Sequence, residues 1–239
     1  MSKALDALAI LQEGNARFVE GTSHYDPALN AVERSRLLGG QSPIAVVLGC
    51  SDSRVPVEMV FDQGFGDLFV IRVAGNVVAS SQIASVEFAA ETFGVRLVVV
   101  MGHTNCGAVA ATIDALKKNT QPESLGSLRS IVDRIRPAIE GLLNLNLEKD
   151  QLMEQAVRFN TRISTNSLRH GSQSLERMTE EDNLLIISAE YCLETGKVEF
   201  FDGVPTEDSK IGAYTKDDDK GSFPGSALLG KLVDRFRDT

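Results

Sequence analysis

Three residues in this chain carry the side chains of a soft-metal site: Cys50, His103 and Cys106. Two thiolates and one imidazole suit Zn²⁺ better than Mg²⁺, Ca²⁺ or Mn²⁺, which prefer oxygen donors. Spacing narrows the choice. A structural zinc site usually closes with four ligands in two close pairs, whereas here one pair, His103-x₂-Cys106, is joined by one distant cysteine. Three protein ligands with an open fourth position is the catalytic arrangement. Beside the lone cysteine stand Asp52 and Arg54. A carboxylate so close can bind the metal or accept a hydrogen bond from a water on it, and Arg54 can keep it ionised in a bidentate pair. Two thiolates already neutralise Zn²⁺, so an ionised acceptor matters more for making hydroxide near neutral pH.

The elements that must position these residues are legible as apolar runs. Ile44–Gly49, Asp67–Val73, Arg96–Met101 and Leu184–Glu190 are rich in Val, Ile and Leu without alternation, as expected of strands covered on both faces. They alternate with helical patterns, which predicts an α/β fold with a parallel-core sheet flanked by helices. Cys50 and the His103–Cys106 pair then fall just past the C-terminal ends of strands, where open α/β sheets bind ligands. Lys197–Phe201 follows the turn at Glu194-Thr-Gly196 and reads as a hairpin partner of the last buried strand. Two helices are expected over residues 3–38, one over 81–93 capped by Ser80 or Ser81, and one from 107 to about 118. Two more are expected over 124–143, bent at Pro137, and over 148–169, with a short one over 223–236.

Composition excludes several classes. The 239 residues are 43% hydrophobic, enough for a core, and carry a net charge of −9, which argues against nucleic acid and against an anionic membrane surface. No apolar run approaches the ~18 residues of a membrane span. The N-terminal Ala4–Leu11 stretch is broken by Asp6 and followed by Gln12 and Glu13, so it reads as an amphipathic helix with Ala4, Leu8, Leu11 and Phe18 on one face, in a cytoplasmic protein. Three cysteines do not make a disulfide scaffold.

Cys50-Ser-Asp-Ser-Arg54 followed by His103-Thr-Asn-Cys-Gly107 resembles the signature of the β-class carbonic anhydrases. The likeness extends through Gly14–Val19, Phe61–Gly64, Arg72–Asn76, Glu87-Phe88 and Leu193–Val198, so it covers residues 10–201. It implies one zinc per subunit on Cys50, His103 and Cys106, an Asp52–Arg54 catalytic dyad, and hydration of carbon dioxide to bicarbonate by zinc-bound hydroxide. Gln41 occupies the place of a glutamine that hydrogen-bonds substrate in the plant-like subgroup, and Phe69 and Phe88 match aromatic positions of that subgroup's carbon dioxide pocket. The other subgroup has a tryptophan three residues before the first cysteine, in an inhibitory bicarbonate site; this chain has Val47 there. The resemblance further implies N-terminal helices packing on a partner subunit, in a homodimer or a dimer-based higher oligomer with active sites at the interface. The chain is expected to be one domain over 1–239, with a helical arm at 1–40, the zinc-binding core at 41–204 and an extension at 205–239. Thr161 and Ser188 depart from the family's usual valine and glycine.

Plainer readings stand beside these. Buried cysteines and a core histidine would explain the three donors, a loop ion pair the dyad, a loop bridge Gln41, and core packing Phe69 and Phe88. Cys192 reads as a spare thiol, and His24 and His170 as solvated side chains. The competing functions are a carbonyl sulfide or carbon disulfide hydrolase on the same scaffold, against which Ser51 and Ser53 stand, and a noncatalytic zinc-binding or redox-sensing protein.

Overall fold

The computed structural model describes residues 3–24, 34–35 and 37–205. The second N-terminal helix, in large part, and the helix expected over 223–236 lie outside the described residues. The five strands are β1 (Ala45–Gly49), β2 (Leu68–Arg72), β3 (Leu97–His103), β4 (Leu185–Tyr191) and β5 (Val198–Asp202). They form one sheet in the order β2-β1-β3-β4-β5. The first four are parallel and β5 is antiparallel to β4, so the hairpin and the parallel core are as the apolar runs predict. Every residue of β1, β3 and β4 is buried, the physical reason those strands show no alternation.

Helix α1 (Lys3–Glu20) lays Ala4, Ala7, Leu8 and Leu11 on one sheet face, against Val47, Met101 and Ile187. Gly14 and Asn15 fix its far end. A Cβ on Gly14 would sit 1.9 Å from the carbonyl oxygen of Phe61, so only glycine allows this approach. Asn15 donates to the carbonyls of Val60 and Gly196 and accepts from the amide of Val198, stitching α1 to the β5 hairpin.

The opposite face is covered by α3 (Ser80–Thr92) and α6 (Lys149–His170), with Val86 and Leu168 against Val46, Leu48 and Val100. The remaining helices are α2 (Val57–Val60), α4 (Gly107–Lys117), α5 (Arg129–Glu140) and α7 (Gln173–Glu181). Neither serine caps α3. Ser80 and Ser81 already lie in its first turn, and the N-cap is Ala79, whose amide donates to Gln82 Oε1. The segment expected as one helix over 124–143 is divided into a 3₁₀ stretch at Pro122–Leu128, then α5 with Pro137 inside it, then a second 3₁₀ turn at Leu142–Leu145. The departures Thr161 and Ser188 are accommodated. The Thr161 hydroxyl donates to the Val157 carbonyl, and Ser188 shares a 2.7 Å hydrogen bond with Thr165. No described helix is long and apolar enough to cross a membrane.

Chain order reverses beside β1, with β2 on one flank and β3 on the other. The C-terminal ends of β1 and β3 lie side by side, Gly49 opposite Met101, at the switch point where such sheets place ligands.

Candidate metal centre

Cys50 is the first residue after β1, His103 the last of β3, and Cys106 the N-cap of α4. The turn between the last two passes through Asn105 in the left-handed region, at φ 56°, which brings the Cys106 sulfur back over the strand end. The three donor atoms lie within 4.8 Å of one another, all buried, and Cys50 Sγ is 4.0 Å from Cys106 Sγ.

The surroundings favour anionic sulfur. The Gly75 amide donates to Cys50 Sγ at 3.3 Å, and Gly75 can do so because it adopts φ 69°, with its carbonyl held by Asn160. Amides of Ala108 and Val109, in the first turn of α4, point at the Cys106 sulfur. The Cys106 thiol, bonded to Cys50, pulls the Cys50 pKa down to about 4, while the same bond and burial push Cys106 up. A divalent cation held by the two sulfurs would favour both as thiolates.

His103 supplies the clearest sign. Its Nδ1 lies 2.9 Å from the Thr104 carbonyl, so it carries the proton and donates it there. That leaves Nε2 as a lone pair, and Nε2 is buried with no hydrogen-bond partner. A buried acceptor with nothing to accept costs stability unless a cation satisfies it. Two sulfurs and this nitrogen match the donor set and approach of zinc, so the residues fit the metal.

Asp52 and Arg54 stand at the solvent side of the donors. Arg54 Nε and Nη2 donate to the two oxygens of Asp52 at 2.9 and 2.7 Å, and the Arg54 amide donates to Oδ1. The guanidinium beside Asp52 holds its carboxyl well below the usual carboxylate range. Asp52 Oδ2 is 3.8 Å from His103 Nε2, and the Asp52 side chain is 15% exposed against 54% for Arg54.

The other expected site residues lie elsewhere in the chain. Phe69 and Phe88 pack against each other and Phe93, with centroids 5.5–6.2 Å apart, on the face of Val46 and Leu48. Cys50 and Cys106 belong to a different apolar cluster, with Val109 and Ile135. Gln41 is exposed and lines a cavity of about 510 Å³ with Arg34, Leu38 and Phe65, away from the three donors. Within one chain, then, five of the eight residues assemble and three do not.

Sequence reasoning passed over Arg72, Gly75 and Thr104 as contributors. Arg72 donates to the carbonyls of Cys50 and Asp52, and Gly75 and Thr104 act through main-chain atoms. The Arg72–Asn76 motif hinted at the first two and the His103–Gly107 motif at Thr104, but neither told their roles, because main-chain partners leave no mark in side-chain spacing.

The family model described as carbonic anhydrase matches residues 45–198. A carbonic anhydrase of Mycolicibacterium smegmatis is 38% identical over 199 residues, 83% of this chain and 93% of its own length. Carbonic anhydrase 2 of Mycobacterium tuberculosis is 36% identical over 192 residues, covering 78% of this chain and 87% of its own. The crystal structure of the β-carbonic anhydrase CafA of Aspergillus fumigatus superposes with a TM-score of 0.65 at 26% identity, over 84% of this chain and 92% of that one. A switch-point cysteine and a histidine–cysteine pair thus stand here within a matching sequence and fold, and the chain belongs to the β-carbonic anhydrase family of enzymes.

Proposed function

We propose that this chain hydrates carbon dioxide reversibly to bicarbonate and a proton, with one zinc held by Cys50, His103 and Cys106. The observation that carries this reading is the buried, unpartnered Nε2 of His103, beside two sulfurs and a carboxylate locked to arginine. When bound, zinc lowers the pKa of a water in its open position toward neutrality. Asp52 is the acceptor that orients that water. Its depressed pKa keeps it ionised, so near neutral pH it aims the nucleophile as a hydrogen-bond acceptor. Arg54 keeps Asp52 aimed, because a bidentate pair fixes direction as well as charge.

The substrate pocket is assigned to Gln41, which steadies the developing carboxylate oxygen, and to the apolar rings of Phe69 and Phe88. Phe88 is 52% exposed. Since these three lie apart from the donors of their own chain, the reading requires a homodimer, or a larger dimer-based assembly, in which one subunit's aromatic face meets its partner's zinc. Because α1 lays its apolar face on its own chain's sheet, an arm over residues 1–40 meets the partner with the outward face of that helix, where Ile10 and Val19 are exposed; 41–204 serve as the zinc-binding core and 205–239 as an extension of the same domain. The plant-like, always-accessible subgroup is favoured by Val47 in place of tryptophan and by Asp52 being engaged with Arg54. The acidic net charge and the absence of a spanning helix among the described residues favour a cytoplasmic enzyme acting on small molecules.

A stopped-flow hydration assay on purified protein, before and after zinc chelation and re-addition, tests the reading. Activity that follows zinc content supports it. Hydrogen sulfide release from carbonyl sulfide, without hydration, would replace it with the sulfide-releasing alternative. A reversible Cys50–Cys106 disulfide without turnover would replace it with a redox protein.

A further inference from the structure

Arg72 is the last residue of β2, opposite Gly49 at the end of β1. Its side chain crosses to the loop that follows β1. Nε donates to the Cys50 carbonyl at 2.9 Å and Nη2 to the Asp52 carbonyl. Those carbonyls flank Ser51, so one planar guanidinium spans the turn between a metal donor and the acidic residue. Among the described residues no acidic side chain pairs with Arg72, although it is exposed and positively charged. Its donors go to main chain, which is the use of an arginine as a brace.

We propose that Arg72 is a positioning residue for carbon dioxide hydration, setting the separation of the Asp52 carboxylate from the metal donors through these two carbonyls. The proposal rests on the function given above. Asp52 and Arg54 are two residues apart on the same loop and bind each other, so they can shift together without breaking their pair. Val55, whose amide donates to the Asp52 carbonyl, is also part of that loop. Besides the Gly75 amide on the Cys50 sulfur, two ties reach the loop from outside. One is Arg54 Nη2 to the Asn105 carbonyl at 3.3 Å, from a guanidinium that is half exposed. The other is Arg72, whose backbone is fixed by strand pairing and by the Val73 amide on the Gly49 carbonyl. A fork anchored on a strand holds two acceptors at a set spacing, which lysine, with a single ammonium, does not do. A nucleophile misaimed by about 1 Å loses on the order of 10²-fold in rate, so such a brace acts on turnover.

The test compares the zinc-loaded parent with Arg72→Lys and Arg72→Met, measuring zinc per chain, kcat and KM, and solving the zinc-loaded Arg72→Met crystal structure. Zinc stays at one per chain in all three. Arg72→Met loses about 10²-fold in kcat with KM within about twofold, and Arg72→Lys loses about tenfold. In the crystal the Asp52 carboxylate moves by about 1 Å or more while the three donors stay. Unchanged kcat per zinc, or Asp52 still in place, overturns the proposal. A loss confined to KM also overturns it, by making Arg72 a substrate-binding group. So does zinc loss with normal kcat per remaining zinc. If the parent hydrates no carbon dioxide, the functional reading fails instead, and the Asp52 displacement still decides whether Arg72 sets its position. Should Arg72→Met not fold, Arg72→Lys carries the same measurements.

Discussion

The Arg169 network and the metal centre are both polar groups buried against one sheet, yet they are satisfied in different ways. Arg169, only 6% exposed, donates twice to the Ile186 carbonyl and once to Asn166 Oδ1, and its Nη1 lies 3.1 Å from Asp202. Ser188 joins the same group through Thr165 and Asp202. Its donors and acceptors are matched within the chain, so it stabilises a hairpin and needs no ligand. At the metal centre the supporting groups are matched with equal care: His103 Nδ1, the Cys50 sulfur and both Asp52 oxygens have partners. The inward-facing His103 Nε2 does not. Buried beside two sulfurs within 4.8 Å, that lone pair converges on a point that something outside the chain can fill.

That contrast predicts different failures. Cys106→Ser removes a soft donor, and both stoichiometric zinc and hydration are expected to vanish, read by metal analysis and stopped-flow. Retention of zinc by that variant would place the site elsewhere. Asp52→Ala comes next. Zinc is kept, since Asp52 is not among the three donors, but turnover falls by about 10²–10⁴-fold. Near-normal turnover would remove the dyad from the reaction.

Arg169→Met should do the converse, leaving kcat per zinc within about twofold while lowering stability. It strands Asp202 and the Ile186 carbonyl, which costs about 3–5 kcal/mol in denaturant unfolding of the zinc-loaded protein. Loss of turnover at full zinc occupancy would erase the distinction between the two networks.

The smallest effect concerns Glu190, which lies between them on β4. It is buried, 3.4 Å from Arg158, and burial raises its pKa. A raised folded-state pKa means the native protein binds the proton more tightly than the unfolded chain. The associated stabilisation is full below the ordinary carboxylate pKa and is lost as pH rises through the raised value. Glu190→Gln should therefore flatten the fall in stability across that window, while Arg158 keeps Glu199 at 2.6 Å. An unchanged slope between acidic and neutral pH would show that Glu190 does not titrate there.

Much of this architecture was legible beforehand, for reasons that can be named. Unbroken Val and Ile runs announce strands covered on both faces, and β1, β3 and β4 are buried throughout. The α3 cap was misread because serine is a strong capping signal, whereas the glutamine at the third helical position bonds the Ala79 amide. Helix α7 was missed although Ser172 caps it, accepting from the amides of Ser174 and Leu175. It is short and follows a long helix, so its period never separated from its neighbour's.

By itself the sequence determined the donors, their chemistry and the family, because those depend on residue types at fixed spacings around short strand ends. Its resemblance also put forward Phe69, Phe88 and Gln41 as pocket residues, but not that they stand apart from their own chain's donors. Tertiary structure decided that, along with the His103 tautomer, the Gly75 amide on Cys50 and the reach of Arg72. Each of those is a contact with main-chain atoms or across elements distant in sequence. Every residue carries the same main-chain atoms, so only folding reveals which of them a side chain has found.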